Sequence, residues 1–156
     1  MQDDTPGFAA AHQRMLDTLL DVVIPPSSDG RLPGAGALGL ATHVMRAAQQ
    51  TPMVGPVVEY GLSALADLAA TRHADGWQAL SAEERASVLR EFTATDKFFL
   101  PAFLFLVYSG YYQHPRVLDA LGLESRPPHP GGYEMDPGDF TLLDAVRRRG
   151  PLRRDR

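Results

Sequence analysis

The chain has 156 residues, of which 44% are hydrophobic and 22% charged, and a formal net charge of −4 at pH 7. This size and composition predict one globular domain over residues 1–156 and exclude a chain that is disordered throughout. The chain has no cysteine, which excludes disulfides, thiolate nucleophiles and cysteine-ligated clusters, and its acidic balance gives no general attraction to nucleic acid.

The first predicted helix begins at Thr5-Pro6, because threonine can cap a helix and proline is tolerated in its first turn. Apolar residues then recur every three to four positions until Pro25-Pro26 ends the helix. The residues before it, 1–4, are acidic where a signal peptide would be basic. We therefore expect a cytoplasmic protein, which would reach the periplasm only if it were exported with a partner.

Three further helices follow a loop of proline, glycine and serine. The apolar spacing predicts helices over residues 37–49 and 57–73. Ser81 and Glu84 form a capping box, in which each side chain can bond the backbone N–H of the other residue. A fourth helix should therefore begin near Ala82.

The fifth predicted helix begins near Thr95 or Asp96 and is the most apolar part of the chain, so we expect it to be the central buried helix. Its apolar run of about ten residues is half of the roughly 20 that a membrane span needs. We expect no membrane span.

Beyond Tyr112, residues 116–121 could form one or two helical turns, and the rest of the chain contains little periodicity. Residues 113–138 are rich in proline and glycine, and a short helix is predicted over 140–148. The sequence thus predicts an all-α fold with about five helices in residues 1–112, an arm in 113–138, and a terminal helix with an arginine-rich tail in 139–156.

The arm region supplies a candidate partner interface. Its stiff aromatic side chains could contact another protein, or they could cover apolar surface on the chain's own helices. Both interpretations stay open, as does a homo-oligomer in which the arms exchange between copies. The candidate residues here are Tyr111, Tyr112, His114, Pro115 and Tyr133.

The arginine-rich tail has three interpretations. Charged termini are most often simply solvated, so that is the first. Docking on an acidic partner is the second, since guanidinium groups match carboxylates, and nucleic-acid binding is the last. Arg147, Arg148 and Arg149 are therefore added to the candidate interface.

No set of reactive groups is visible in the sequence. His114 lies at a helix end, where it is more typical of a residue that bonds the backbone carbonyls than of a catalytic base. Gly34, Gly36 and Gly39 match a dinucleotide-binding spacing, but no strand precedes them. We predict no catalytic, cofactor-binding or metal-binding residue. The alternative is a stand-alone helical enzyme or small-ligand-binding domain with a pocket near Tyr111, Tyr112 and His114.

Four stretches, taken together, match one family. They are residues 19–25 with the loop to 33–35, the aromatic segment 98–112, the short motifs at 114–115, 121–122 and 130–133, and residues 142–147. The pattern resembles the gluconate 2-dehydrogenase subunit 3 family, which comprises small subunits of flavin-dependent sugar and alcohol dehydrogenases.

The resemblance implies an all-helical accessory chain without catalytic activity. It would bind a large oxidoreductase of the glucose–methanol–choline (GMC) type, which carries the FAD and the catalytic residues, and support its folding, stability or export. A cytochrome subunit is a further candidate partner. Many members begin with a twin-arginine export signal, and this sequence has no such pair near its start.

Overall fold

The computed structural model describes residues 10–126, 129, 131–132, 134–136 and 138–149. Across these residues the chain forms helices and turns with no strand, which confirms the all-α prediction. The α-helices are α1 (Ala10–Val23), α2 (Ala41–Gln50), α3 (Gly55–Arg72), α4 (Ala82–Thr95), α5 (Phe99–Tyr111), α6 (Pro115–Ala120) and α7 (Asp144–Arg147). Short 3₁₀ turns cover Gly36–Leu38, Gly76–Ala79 and Thr141–Leu143.

The chain divides into two compact units, Met1–Arg126 and Pro127–Arg156. The first contains α1 to α6 around one apolar core. In the second, the described residues form one 3₁₀ turn and α7, and none of their side chains is buried. The single domain expected over residues 1–156 stays a prediction.

Local signals place most helix ends close to the predicted positions. Helix α4 begins at Ala82, as the capping box predicts. Helix α2 begins four residues later than predicted, because the 3₁₀ turn before it ends at Gly39, whose φ of 65° is left-handed. The predicted helix over 140–148 is a 3₁₀ turn followed by the four-residue α7. The predicted start at Thr5-Pro6 lies outside the described residues.

Helix α5 begins at Phe99, later than the predicted start at Thr95 or Asp96. The carboxylate of Asp96 accepts the backbone N–H groups of Phe98 and Phe99 at 2.8 and 2.9 Å. These groups have no partner inside a new helix, so Asp96 separates α5 from α4 by capping it. Pro101 then lies in the first turn of α5, where its missing N–H breaks no helical bond.

Aromatic packing holds α5 in the core. The Phe99 ring stacks on Phe103 with ring centroids 5.5 Å apart, and Phe92 of α4 meets it edge-on at 5.4 Å. Gly61 of α3 lies so close that a Cβ there would overlap the Phe99 ring. Helix α5 therefore approaches α3 at a distance that only glycine permits at position 61.

The loop between α1 and α2 is held by Asp21, a residue off the apolar stripe of α1. Its carboxylate accepts the backbone N–H of Gly36 at 2.8 Å. A Cβ at Gly36 would lie 2.6 Å from the same carboxylate, so the loop passes where a side chain would collide. The glycines that match the dinucleotide spacing therefore include one required by loop packing.

The capping box at α4 gives a stability prediction. The Ser81 hydroxyl accepts the Glu84 N–H at 3.3 Å, and the Glu84 carboxylate accepts the Ser81 N–H at 2.8 Å. We expect Ser81→Ala to lower the free energy of unfolding by about 1 kcal/mol, because the first-turn N–H loses its acceptor. Urea denaturation followed by circular dichroism measures the change. Ser87→Ala, at an exposed serine in the same helix, is the control and should not lower the midpoint, because alanine is the better helix former.

Candidate partner-binding face on helix α5

Helix α5 is apolar on two sides, but only one of them is buried. No Asp, Glu, Lys or Arg occurs from Phe98 to Pro115. The inner side, which includes Phe99 and Phe103, lies in the core. The outer side is exposed, and we call it the α5 face. It consists of Phe98, Pro101, Phe105, Tyr108 and Tyr112.

The exposure of this face corrects the expectation of a helix buried all round. Phe98 is 77% exposed, Phe105 60%, Tyr112 54% and Tyr108 45%. Hydropathy alone predicts burial for such residues, but no described neighbour covers them. The burial expected for Phe98 in particular is wrong.

The spacing of the α5 face follows the helical repeat. Its residues are separated by three or four positions, so they fall within an arc of about 80° on the helix circumference. Phe98 and Tyr112 flank the helix and keep right-handed helical backbone angles, which extends the face by one residue at each end. The result is one stripe along the helix, made of four aromatic residues and one proline.

Neighbouring side chains hold the carboxyl end of this stripe. The Tyr112 ring lies 5.7 Å from Tyr108 and meets Tyr111 edge-on at 5.2 Å. Tyr111 is itself buried, its hydroxyl donates to the carbonyl of Pro33 at 2.9 Å, and burial raises its pKa. Tyr112 is therefore an exposed ring supported by a fixed one.

A histidine–serine pair also joins α5 to α2. His43 Nε2 lies 2.9 Å from the Ser109 hydroxyl, which donates to the Leu106 carbonyl at 2.7 Å. The serine proton is thus engaged, and its oxygen can accept the N–H of His43. The adjacent Gly110 makes room for the imidazole, since a Cβ there would lie 2.6 Å from it. No local pattern in the sequence indicates this pair, because its members are 66 residues apart.

The amino end of the α5 face borders an open hollow of about 380 Å³. Its walls combine aromatic rings with the polar turn between α4 and α5. They are formed by Tyr60, Phe92, Thr95, Asp96, Lys97 and Phe98. Tyr60, on α3, is 68% exposed. The hollow is therefore an accessible aromatic recess at the end of the helix opposite Tyr112.

The predicted residues of the arm lie at the junction of α5 and α6. Tyr112 belongs to the α5 face, whereas Tyr111 is a core residue. His114 caps the start of α6, since its Nδ1 accepts the Arg116 N–H at 3.3 Å, and Pro115 is the first residue of that helix. The expected contact of His114 with helix-end carbonyls is replaced by this N-cap.

The predicted residues of the tail belong to the second unit. Arg147 donates to the Asp144 carboxylate at 3.3 Å, and Arg148 Nε donates to the Asp144 carbonyl at 3.1 Å. Both are exposed, as is Arg149. Tyr133 lies outside the described residues, so its place in the interface stays a prediction.

The described residues contain neither a metal-binding cluster nor a helix that could cross a membrane. They hold no group of three or more His, Cys, Asp or Glu side chains arranged to bind a metal. None of the helices that they form combines the length and the apolar character that crossing a membrane requires.

Comparison with known families identifies the chain. A family model described as gluconate 2-dehydrogenase subunit 3 matches residues 10–131. The chain belongs to this family. The resemblance expected from the sequence is thereby confirmed. Neither the curated proteins nor the solved structures compared with the chain gave a match.

The family match covers the α5 face but not the arginine segment. All five residues of the α5 face lie within residues 10–131, together with His114 and Pro115. Arg147, Arg148 and Arg149 lie beyond it. The α5 face therefore lies in the part of the chain that the gluconate 2-dehydrogenase subunit 3 model matches, and the arginine segment lies after that part.

The two adjacent tyrosines give a prediction that separates core from surface. Tyr111→Phe should lower the free energy of unfolding by about 1 kcal/mol, because the Pro33 carbonyl loses its hydrogen-bond donor. Tyr112→Phe, the matched control, should leave stability unchanged within error. Equal urea midpoints for the two variants would contradict the assigned role of Tyr111.

Proposed function

We propose that this chain is a non-catalytic accessory subunit that binds a large FAD-dependent oxidoreductase of the GMC type. It stabilises that subunit or helps it to mature, while the large subunit holds the FAD and carries out the reaction. Membership of the gluconate 2-dehydrogenase subunit 3 family supports this proposal. The cytoplasmic location and an additional cytochrome partner stay predictions.

The observation that carries the proposal is the composition of the α5 face. Four aromatic residues are exposed along a segment that contains no Asp, Glu, Lys or Arg. The centres of protein interfaces are enriched in aromatic residues and depleted of charge in the same way. We therefore assign the α5 face as the surface that contacts the large subunit.

The size of the face agrees with this role. An aromatic side chain can bury about 150–250 Å², so the exposed fractions of the four rings correspond to roughly 350–600 Å². Soluble monomers rarely expose more than a few hundred Å² of contiguous apolar surface without a function. A standard interface buries about 800 Å² on each partner, so the α5 face would provide much of its centre.

The alternative function, a catalytic or ligand-binding pocket near Tyr111, Tyr112 and His114, has less support. The Tyr111 hydroxyl donates to Pro33, and His114 Nδ1 accepts the Arg116 N–H. Two of the three polar groups on which that pocket depends are thus engaged with the backbone. No observation favours this function over the accessory role.

The arginine segment provides a second contact in this proposal. Arg147, Arg148 and Arg149 are exposed beside apolar residues that are also exposed, among them Leu142 at 83%. Guanidinium groups pair well with carboxylates, so the expected counterpart is an acidic patch on the large subunit. These residues lie beyond the range that the family model matches, so family membership by itself does not support this second contact.

A surface substitution tests the role of the α5 face. The chain is co-expressed with an affinity-tagged large flavoprotein subunit, and both the amount recovered with it and the FAD per large subunit are measured. Phe105→Asp should weaken binding at least about tenfold, because a carboxylate would be buried at the centre of the contact. FAD content should fall with it.

The control for this test is Leu123→Asp, which places the same charge at a residue of similar exposure, 55% against 60%. It should bind like the parent chain. Unchanged recovery of Phe105→Asp would reject the assigned surface. Equal FAD content with and without the accessory chain would reject the proposed maturation role.

The arginine contact is tested through its salt dependence. Replacing Arg147, Arg148 and Arg149 by glutamine should weaken binding to the large subunit at low ionic strength and flatten the decline in affinity as salt is added. Titration at several salt concentrations measures both effects. A triple variant with the parent salt dependence would show that the segment is only solvated.

A further inference from the structure

We infer that the α5 face also binds a second copy of this chain, as an antiparallel pair of α5 helices with its two-fold axis at Phe105. The inference concerns the chain before it meets a large subunit. It rests on the geometry of the α5 face and not on the proposed function.

The two ends of the face lie at equal distances from Phe105. Pro101 precedes it by four residues and Tyr108 follows it by three, while Phe98 and Tyr112 lie seven residues away on either side. A two-fold interface must be self-complementary, so that each contact occurs twice. Antiparallel pairing meets this condition: Phe105 faces Phe105 of the second copy, and Phe98 faces Tyr112.

The ends of the face complement each other in shape. Tyr112 projects at the carboxyl end, where Tyr108 and Tyr111 hold its ring. The open hollow beside Phe98 and Tyr60 lies at the amino end. Antiparallel pairing brings the Tyr112 ring of each copy to the hollow of the other copy. The pair would thus contain two equivalent contacts between a tyrosine ring and an aromatic hollow.

Charge does not oppose this pairing. The face itself has no charged side chain, and each of its ends has one acid and one base. Asp96 and Lys97 lie at the amino end, and Arg116 and Asp119 follow the carboxyl end. Antiparallel pairing therefore places the amino end of each copy, with one acid and one base, against the carboxyl end of the other, which also has one of each. The association should depend little on charge and persist in high salt.

The same face cannot contact a second copy and a large subunit together. The pair would cover roughly 350–600 Å² of aromatic surface on each copy of the free chain. A large subunit would then have to displace one copy. Pairing would thus keep the exposed aromatic residues of the α5 face covered until the large subunit binds.

The absence of cysteine allows a direct test with single-cysteine variants of the full chain. Under mild oxidation, Phe105→Cys should form a covalent dimer, because the two cysteines meet at the axis. Phe98→Cys alone should not, since its two copies would be separated by about 21 Å along the helix, beyond the 7 Å that a disulfide can span. A mixture of Phe98→Cys with Tyr112→Cys should give the mixed dimer.

Sedimentation equilibrium provides the second readout. The unmodified chain should approach twice its 17.0 kDa as concentration rises, with little effect of salt. Phe105→Asp should stay monomeric, because pairing would oppose two carboxylates at the axis, while Leu123→Asp should associate like the parent. Circular dichroism confirms that both variants are folded.

Several results would overturn the inference. They are a monomer at every concentration, a dimer that Phe105→Asp leaves intact, or cross-linking of Phe98→Cys alone as efficient as that of the mixture. Exchange of the arms would give a dimer without the Phe105→Cys cross-link. A monomeric chain that still binds the large subunit through Phe105 would reject the pairing and leave the proposed function standing. A chain that dimerises through Phe105 but does not bind the large subunit would support the pairing and reject the proposed function.

Discussion

The close packing of Phe99 against Gly61 is the constraint on which the rest of the structure depends. Phe99 can enter the core only where α3 offers no side chain, and its edge-on contact with Phe92 of α4 then fixes the rotation of α5 about its axis. Once that rotation is set, the helical repeat fixes the residues that point outward. The exposed aromatic stripe is thus a consequence of the buried one, because both belong to one short helix.

The carboxyl end of α5 is held as firmly as its middle. Tyr111 bonds the loop after α1, and Ser109 meets His43 of α2. These contacts engage the Tyr111 hydroxyl and the His43–Ser109 pair in holding α5 against the rest of the fold. A face held at several points loses little conformational entropy on binding, which favours tight contact with a partner. The aromatic side chains at this end of α5 therefore stand on a well-packed base.

A rigid, uncharged aromatic face creates a difficulty for a free protein, because it attracts other apolar surfaces without much selectivity. If the chain has the proposed accessory role, that face needs a cover until the large subunit binds. The spacing of the α5 face would allow a second copy of the chain to cover it. The large subunit would then compete with that copy for the same residues. Assembly would then depend on the relative strength of two contacts made by one helix, and the concentration of the chain would influence it.

The sequence by itself determined the all-α fold, the approximate positions of most helices, the capping box at Ser81 and the family, because periodicity, caps and short motifs are local properties. It placed the candidate interface near Tyr111 and Tyr112 but could not show which of the two is exposed. Only the tertiary structure decided that Tyr111 is buried and Tyr112 exposed, and that Phe105 lies on an uncovered side of α5. The reason is physical: exposure depends on neighbours distant in sequence, such as Pro33, 78 residues before Tyr111, and local patterns do not contain them.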